Sequence, residues 1–285
     1  MPKLGLGKGG LHSVIFPIDM NQFDNETRLV AGEGGFTGLV HPDWNIGNNP
    51  NGGYLLALAV TALRQQAPHH PDPLSITVHY LRPGLANQPC RIDASTLRSG
   101  RTLTTARATL TQDGASRLEV LAAFGDLGDG SEPTLALAPP VIPPPDQCIP
   151  RSGDAQGVDL PLLSRVEIRL HPDEAKAGSA GSAQVSGWIR FRDGRAPDTL
   201  AALLFADAFP PSVFGLLGMV GWVPTVELTA HVRRRPAPGW MLGQFRTHDL
   251  SDGRMIEDGA LWDSQGQLVV QSRQLGLVRF ADSKA

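Results

Sequence analysis

An aspartate in the second half of the chain lies at a position where the sequence pattern predicts an apolar side chain. Asp207 continues the apolar stripe of a predicted helix, after Leu200, Leu203 and Leu204 at helical spacing. A carboxylate facing the core is costly unless it is hydrogen-bonded or takes part in proton transfer. The alternative is a helix-end aspartate that faces solvent, because two prolines follow it closely.

A glutamine on the last predicted strand is the second candidate. Strand alternation places Gln274 on one face with Val270, Ser272 and Gly276, which are small or apolar. A side-chain amide both donates and accepts hydrogen bonds, so it can orient a bound water. The opposite face of the strand is also polar, which leaves a solvated position as the alternative.

Two glycines open the first predicted helix. Gly52 and Gly53 follow Asn51, and the apolar body of the helix runs over residues 54–63. Backbone N–H groups at a helix start can stabilise an oxyanion, and glycine permits close approach. The alternative is that the glycines serve helix entry and close packing alone.

The elements that carry these residues follow one plan twice. A helix is succeeded by several strands bounded by glycine, proline and polar turns, first over residues 54–125 and again over residues 198–278. Thr77 and His79 recur as Thr229 and His231 at an offset of 152 residues, and the turn glycine Gly114 recurs at the same offset. The repeat predicts a duplicated α+β fold with one helix wrapped by each sheet.

Proline marks the boundary between the halves. Seven prolines fall between positions 133 and 150, which disfavours both helices and central strands there. We predict a flexible segment at 1–22, a first domain at 23–127, a proline-rich linker at 128–160 and a second domain at 161–281. The candidate residues have apolar counterparts in the first half, Leu55 and Ala122, so the pattern predicts a single polar site.

Composition narrows the function classes. A net charge of -3 provides no broad basic surface for a nucleic-acid backbone, so we expect no nucleic-acid partner. Two cysteines give no disulfide framework, and no apolar run approaches the roughly 20 residues of a membrane span. No secretory signal is apparent, so the expected location is the cytoplasm. The eight histidines show no ligand spacing, and we expect no metal and no cofactor.

Several motifs together resemble the acyl-CoA thioesterase II family and its thioesterase-like relatives, which are double hotdogs. The resemblance covers roughly residues 25–127 and 185–280. It is carried in the first half by NGGYLLALA, HYLRPG and TLRSGRTL, and in the second by FADAF, TVELTAHVRRRP and the terminal RQLG.

The resemblance implies an acyl-CoA substrate and a catalytic trio. In that family an aspartate, a threonine and a glutamine hold the attacking water, which maps onto Asp207, Thr225 and Gln274. Thr229 is the alternative threonine, because one extra residue separates Thr225 from Pro236 relative to the family. The aspartate would act as general base, and the N–H groups of Gly52 and Gly53 would suit the oxyanion.

Two other functions fit the same fold. A non-catalytic acyl-binding protein needs the same apolar tunnel, although retention of Asp207 favours an enzyme. A hotdog enoyl-CoA hydratase needs an Asp–His pair, and His231, 24 residues beyond Asp207, lies on a strand. Hotdog domains tend to bury their sheet edges against copies, so a homodimer or higher homo-oligomer is expected.

Overall fold

Five helices are distributed among runs of strands along the two described stretches of the chain. The computed structural model describes residues 21–128 and 132–279, so the flexible segment predicted at 1–22 lies almost wholly outside them. The helices are α1 (Gln22–Glu26), α2 (Gly52–Gln66), α3 (Gly153–Gln156), α4 (Thr199–Phe205) and α5 (Phe214–Leu217).

The described residues also form fifteen strands. They are β1 (Val30–Gly32), β2 (Gly35–Val40), β3 (Asn45–Ile46), β4 (Asn49–Pro50), β5 (Asp72–Tyr80), β6 (Gln88–Ser99), β7 (Thr104–Gln112), β8 (Ala115–Gly125), β9 (Ile149–Pro150), β10 (Val166–Leu170), β11 (Gln184–Phe191), β12 (Thr225–Val232), β13 (Met241–Ser251), β14 (Arg254–Trp262) and β15 (Leu268–Leu277).

Thirteen of the strands form one antiparallel sheet in the order β1-β2-β6-β7-β8-β5-β12-β15-β14-β13-β11-β10-β9. The first six belong to the first half of the chain and the rest to the second. Each half wraps its part of the sheet around one helix, α2 or α4, and both helices are buried in a common core. This architecture is the double hotdog, which confirms the predicted α+β fold.

The two halves meet where β5 pairs with β12. Thr77 lies directly opposite Thr229 in this pair, and their hydroxyl oxygens are 2.9 Å apart. These are the residues that the 152-residue repeat makes equivalent. The pseudo-two-fold axis of the duplication therefore passes between them.

Sequence chemistry explains the central helix. The Asn51 side chain accepts a hydrogen bond from the Tyr54 backbone N–H, at 3.0 Å, and so caps α2. Beyond this cap the helix is apolar on nearly every side, which requires burial on all sides. The sheet covers one side of α2, and α4 packs against another.

The second helix is shorter than predicted. The apolar pattern predicts a helix over about residues 198–209, but α4 ends at Phe205. The chain then continues through hydrogen bonds between residues i and i−3, such as that from the Asp207 N–H to the Leu204 C=O at 3.1 Å. Pro210 and Pro211 cannot continue a helix, so the last turn tightens before them. Asp207 thus lies in the turn after α4.

The proline-rich segment contributes to the fold. Within residues 132–160 the strand β9 pairs with β10, and α3 follows directly. The domain boundaries themselves remain predictions. No helix of the described residues is long and apolar enough to cross a membrane.

Candidate active site

The carboxylate of Asp207 faces the N-terminus of α2, across the boundary between the two halves. Its Oδ2 accepts a hydrogen bond from the Gly53 backbone N–H at 2.7 Å and another from Asn51 Nδ2 at 3.0 Å. Asn51 Nδ2 also lies 2.8 Å from the Asp207 carbonyl oxygen. Asn51 therefore caps its own helix with one side-chain atom and holds the aspartate turn with the other.

A buried cation supports the same turn from the other side. Arg151 Nη1 donates to the carbonyl oxygen of Ala208 at 2.5 Å, and the arginine is buried. Burial lowers the pKa of Arg151 to about 9. The turn that carries Asp207 is thus fixed both by the first half and by a residue of the proline-rich segment.

The two oxygens of Asp207 have different surroundings. The hydrogen bonds from Gly53 and Asn51 both go to Oδ2, so neither of these two donors engages Oδ1. Burial, with a smaller effect from the negative charge of Glu257, raises the pKa of Asp207 to about 7, against the lowering effect of hydrogen bonds from Gly53, Asn51 and Gly52. Oδ1 is therefore available to a reacting molecule on a carboxylate that ionises near neutrality.

The two glycines at the start of α2 allow this approach. A Cβ on Gly53 would lie 2.9 Å from the Leu204 carbonyl oxygen and 3.0 Å from Asp207 Cβ. A Cβ on Gly52 would lie 3.0 Å from Asp207 Oδ2. The sequence predicts that the Gly53 N–H faces an oxyanion. In the structure this N–H donates to the carboxylate of Asp207 instead.

Thr225, the first residue of β12, lies next to Gln274, which is near the end of the adjacent strand β15. The Thr225 hydroxyl donates to Gln274 Oε1 at 2.9 Å, and Gln274 Nε2 donates to a carboxylate oxygen of Glu257. An ionised carboxylate accepts only, so it fixes the amide with its nitrogen towards Glu257. Gln274 retains one amide N–H beyond these contacts.

A β-bulge decides which threonine meets Gln274. The register of β12 against β15 shifts between Thr225 and Glu227, so Thr225 lies opposite Gly276, on the face shared by Gln274. Regular alternation would have put Thr225 on the face of Thr229. Thr229 instead bonds to Thr77 and to Glu227, and lines a groove on the outer face with Arg273.

A second carboxylate lies in the site, and sequence reasoning missed it. Glu257 on β14 is only 4 % exposed and is directly opposite Gln274 in the sheet. Its Oε2 accepts the Ser212 backbone N–H at 2.7 Å, which ties it to the segment that follows Asp207. Burial raises the pKa of Glu257. The sequence signal for this residue is an acidic side chain within a strand that also carries several apolar residues.

The first half lacks these polar groups at the equivalent positions. Ala122 lies opposite Ile76 just as Gln274 lies opposite Leu228, and both pairs keep the 152-residue offset. Ala106, opposite Ala122, takes the place of Glu257. Both alanines are buried, so among the described residues this polar arrangement occurs once per chain.

One group among the described residues has the composition of a metal site. Glu26, His41 and Asp43 bring ligand atoms within 4.8 Å of one another. The guanidinium of Arg165 contacts both carboxylates, with 2.6 Å to Glu26 Oε1. The positive charge of Arg165 balances the two carboxylates, so this group is a salt-bridge cluster.

Comparison with known proteins identifies the family. A family model of the acyl-CoA thioesterase N-terminal domain matches residues 40–128, and a model of the C-terminal domain matches residues 145–278. Together the matches span most of the chain. The chain belongs to the acyl-CoA thioesterase family, of the thioesterase II type.

Individual proteins resemble this chain over most of its length. A protein assigned as thioesterase II from Thermobifida fusca is 35% identical, with a TM-score of 0.83 over 92% of this chain and 98% of that one. A hot dog protein of unknown function from Alicyclobacillus acidocaldarius is 26% identical, with a TM-score of 0.81 over 92% and 100%. An uncharacterized protein of Mycobacterium tuberculosis is 30% identical over 92% of this chain and 95% of its own length.

Proposed function

We propose that the protein hydrolyses an acyl-CoA thioester to a free acid and CoA, with a water held by Asp207, Thr225 and Gln274. The observation that carries the proposal is the half-buried Asp207 carboxylate, whose pKa of about 7 and free Oδ1 suit a general base at neutral pH. Membership of the thioesterase family supports the reaction class.

The chemistry proceeds through side chains and water. Asp207 Oδ1 accepts a proton from the water as its oxygen attacks the thioester carbonyl carbon. Thr225 donates its hydroxyl hydrogen to Gln274, so its oxygen is free to accept the second hydrogen of the water. The remaining N–H of Gln274 can donate to the water oxygen, which directs a lone pair at the carbonyl.

The segment between the site residues favours an apolar acyl group. Leu216, Met219 and Trp222 lie between Asp207 and Thr225 in the chain, and each is at least 43% exposed. Exposed apolar side chains grouped along one segment mark an apolar ligand or partner. We therefore infer a fatty or related acyl chain rather than a small charged acyl group.

The competing functions have less support. Among the described residues, the Asp207 carboxylate accepts hydrogen bonds from Asn51, Gly53 and Gly52, and His231 lines the groove on the outer face of the sheet. An Asp–His pair for hydration is therefore not formed by these residues. A non-catalytic acyl-binding role would leave the raised pKa of Asp207 without a use.

Thiol release tests the proposal. Acyl-CoAs of increasing chain length are offered to the purified protein, and free CoA is measured with a thiol reagent, with Asp207→Asn as the control. We expect release by the native protein and loss of release in the variant. If no acyl-CoA releases thiol above background while binding is measurable, the acyl-binding function replaces the enzymatic one.

The two threonines provide a matched pair of variants. Thr225→Val is expected to lower kcat by about tenfold to a hundredfold, because it removes a contact that positions the water. Thr229→Val is expected to leave kcat within about twofold, because Thr229 bonds at the pseudo-two-fold axis. Steady-state kinetics on one acyl-CoA compares them, and a reversed order would assign the role to Thr229.

Glu257 is expected to set the pH range of activity. Glu257→Gln removes the negative charge that raises the pKa of Asp207, so the acid limb of kcat/KM should move to lower pH. Glu227→Gln is the matched control, since Glu227 bonds to Thr229. An acid limb that stays in place in Glu257→Gln would exclude this coupling.

The outer strands of the sheet support the expected oligomer. β1 and β9 end the thirteen-stranded sheet, and Val30 on β1 is 66% exposed. An open strand edge with an exposed apolar side chain is suited to pairing with a second copy. A homodimer or higher homo-oligomer is therefore proposed as the working form.

A further inference from the structure

The side chain of Tyr80 approaches Asp207 beside Gly52. Neither the fold nor the proposed catalytic trio gives this tyrosine a role. Tyr80 is the last residue of β5 and lies opposite the buried Leu118, so it belongs to the inner face of the sheet. The position that a Cβ would occupy on Gly52 is 2.9 Å from Tyr80 Cζ and 3.0 Å from Asp207 Oδ2. The absence of a side chain at Gly52 lets the two groups converge.

The hydroxyl of Tyr80 has no hydrogen-bond partner among the described residues, although its oxygen is buried. A buried tyrosine hydroxyl normally finds a partner. Burial, and to a smaller extent the negative charge of Asp207, holds the pKa of Tyr80 well above its ordinary value, so the hydroxyl keeps its proton. Tyr80 is thus a protonated donor close to the base of the site, and no described residue accepts its hydrogen bond.

Thioester hydrolysis leaves one requirement unmet by the groups described so far. Negative charge develops on the carbonyl oxygen as water attacks, and a hydrogen-bond donor must be directed at it. The Gly53 N–H donates to Asp207, and the Gly52 N–H also hydrogen-bonds to this carboxylate, so both of these N–H groups already have a partner. A fixed donor from the side of Tyr80 would meet the requirement.

We propose that the Tyr80 hydroxyl is a catalytic residue that donates a hydrogen bond to the thioester carbonyl oxygen and stabilises the oxyanion; this rests on the proposed hydrolysis. The water oxygen bonds to the carbonyl carbon, the carbonyl π electrons move to the oxygen beside Tyr80, and the water proton goes to Asp207. The carbonyl then reforms as the C–S bond breaks, and the CoA sulfur takes the proton from Asp207. Tyr80 keeps its own proton throughout.

The chain contains two tyrosines, and the other is a natural control. The Tyr54 hydroxyl donates to the Glu26 carbonyl oxygen at 2.7 Å and accepts the His41 backbone N–H at 3.1 Å. Its bonds hold α2 to the first strands of the fold. Removal of the same atom from the two tyrosines should therefore have opposite consequences.

Tyr80→Phe is expected to lower kcat by about 10²–10³-fold, the usual effect of losing one oxyanion donor, with Tm unchanged or raised. Tm should not fall because the variant removes a buried hydroxyl that has no hydrogen-bond partner in the described part of the chain. Tyr54→Phe is expected to lower Tm and to keep kcat within a few-fold. Full activity in Tyr80→Phe would overturn the proposal, as would a loss of kcat that is matched by a loss of Tm.

A binding experiment separates this inference from the hydrolysis proposal. Protein labelled with 3-fluorotyrosine gives two ¹⁹F signals, which Tyr54→Phe assigns. A CoA ketone analogue, with CH₂ in place of sulfur, retains the carbonyl; an S-alkyl-CoA thioether of equal length lacks it. We expect the Tyr80 signal to shift with the ketone and much less with the thioether.

The outcomes are distinguishable. Equal shifts with both analogues would show that Tyr80 senses the ligand without contacting its carbonyl, and would overturn the inference even in an active enzyme. A ketone-specific shift in a protein that releases no thiol would support the contact while the hydrolysis proposal fails.

Discussion

Asp207→Asn is expected to lower kcat by about 10²–10⁴-fold, the usual contribution of a general base. Asparagine preserves the shape of the group, and its amide oxygen can take the place of Oδ2 and accept the Gly53 and Asn51 donors. The amide nitrogen then stands in the place of Oδ1 and cannot accept a proton. The variant thus removes the base and leaves the turn in place, which steady-state kinetics with circular dichroism can verify.

The same variant is expected to be more stable than the native protein at pH 8. The pKa of Asp207 is raised from 3.8 to about 7 by folding, so the folded state binds more protons between these values and loses stability as pH rises through them. Above pH 7 the penalty is fully present, at most about 4 kcal/mol on the basis of 1.36 kcal/mol per pKa unit. Asparagine has no such penalty.

Thermal unfolding over a range of pH measures this effect. The Tm of Asp207→Asn should exceed that of the native protein at pH 8, and the difference should close as the pH falls towards 4. A variant that is less stable than the native protein at every pH would show that Asp207 serves α2 as a charged cap. Its catalytic role would then rest on the kinetics alone.

The native enzyme is expected to lose activity sharply in mild acid. Only ionised Asp207 can take a proton from water, so kcat/KM should fall by about tenfold per pH unit below the pKa near 7, which amounts to about a hundredfold at pH 5. Thiol release is measured with a pH-independent reagent such as dithiodipyridine. A flat profile down to pH 5 would place the base elsewhere, whereas the residual activity of Asp207→Asn should lack this acid limb.

Much of the fold follows from local patterns. Strand alternation and turn residues predict most strands of β5–β8 and β12–β15 within a few residues, because each has one buried face. The repeat adds long-range information, since Thr77 and Thr229 occupy the same place in each half and face each other at the centre. A duplicated sequence thus predicts an interface that neither half shows alone.

The site depends on features that local patterns do not contain. Asn51 and Asp207 are 156 residues apart and meet only because α2 and α4 pack together. The bulge that turns Thr225 inwards has no recognisable signal in the sequence, so regular strand alternation places Thr225 on the wrong face. Glu257 is visible as a charge within a strand, but its contact with Gln274 depends on the pairing of β14 and β15.

A single turnover in ¹⁸O-labelled water, with the protein in excess over acyl-CoA, distinguishes a base from a nucleophile at Asp207. General-base catalysis places one ¹⁸O in each released acid in the first turnover and none in the protein, as mass spectrometry of the acid and of the Asp207 peptide would show. Nucleophilic attack by Asp207 would form an acyl–carboxylate anhydride. Unlabelled acid, together with ¹⁸O in the Asp207 peptide, would contradict the proposed mechanism.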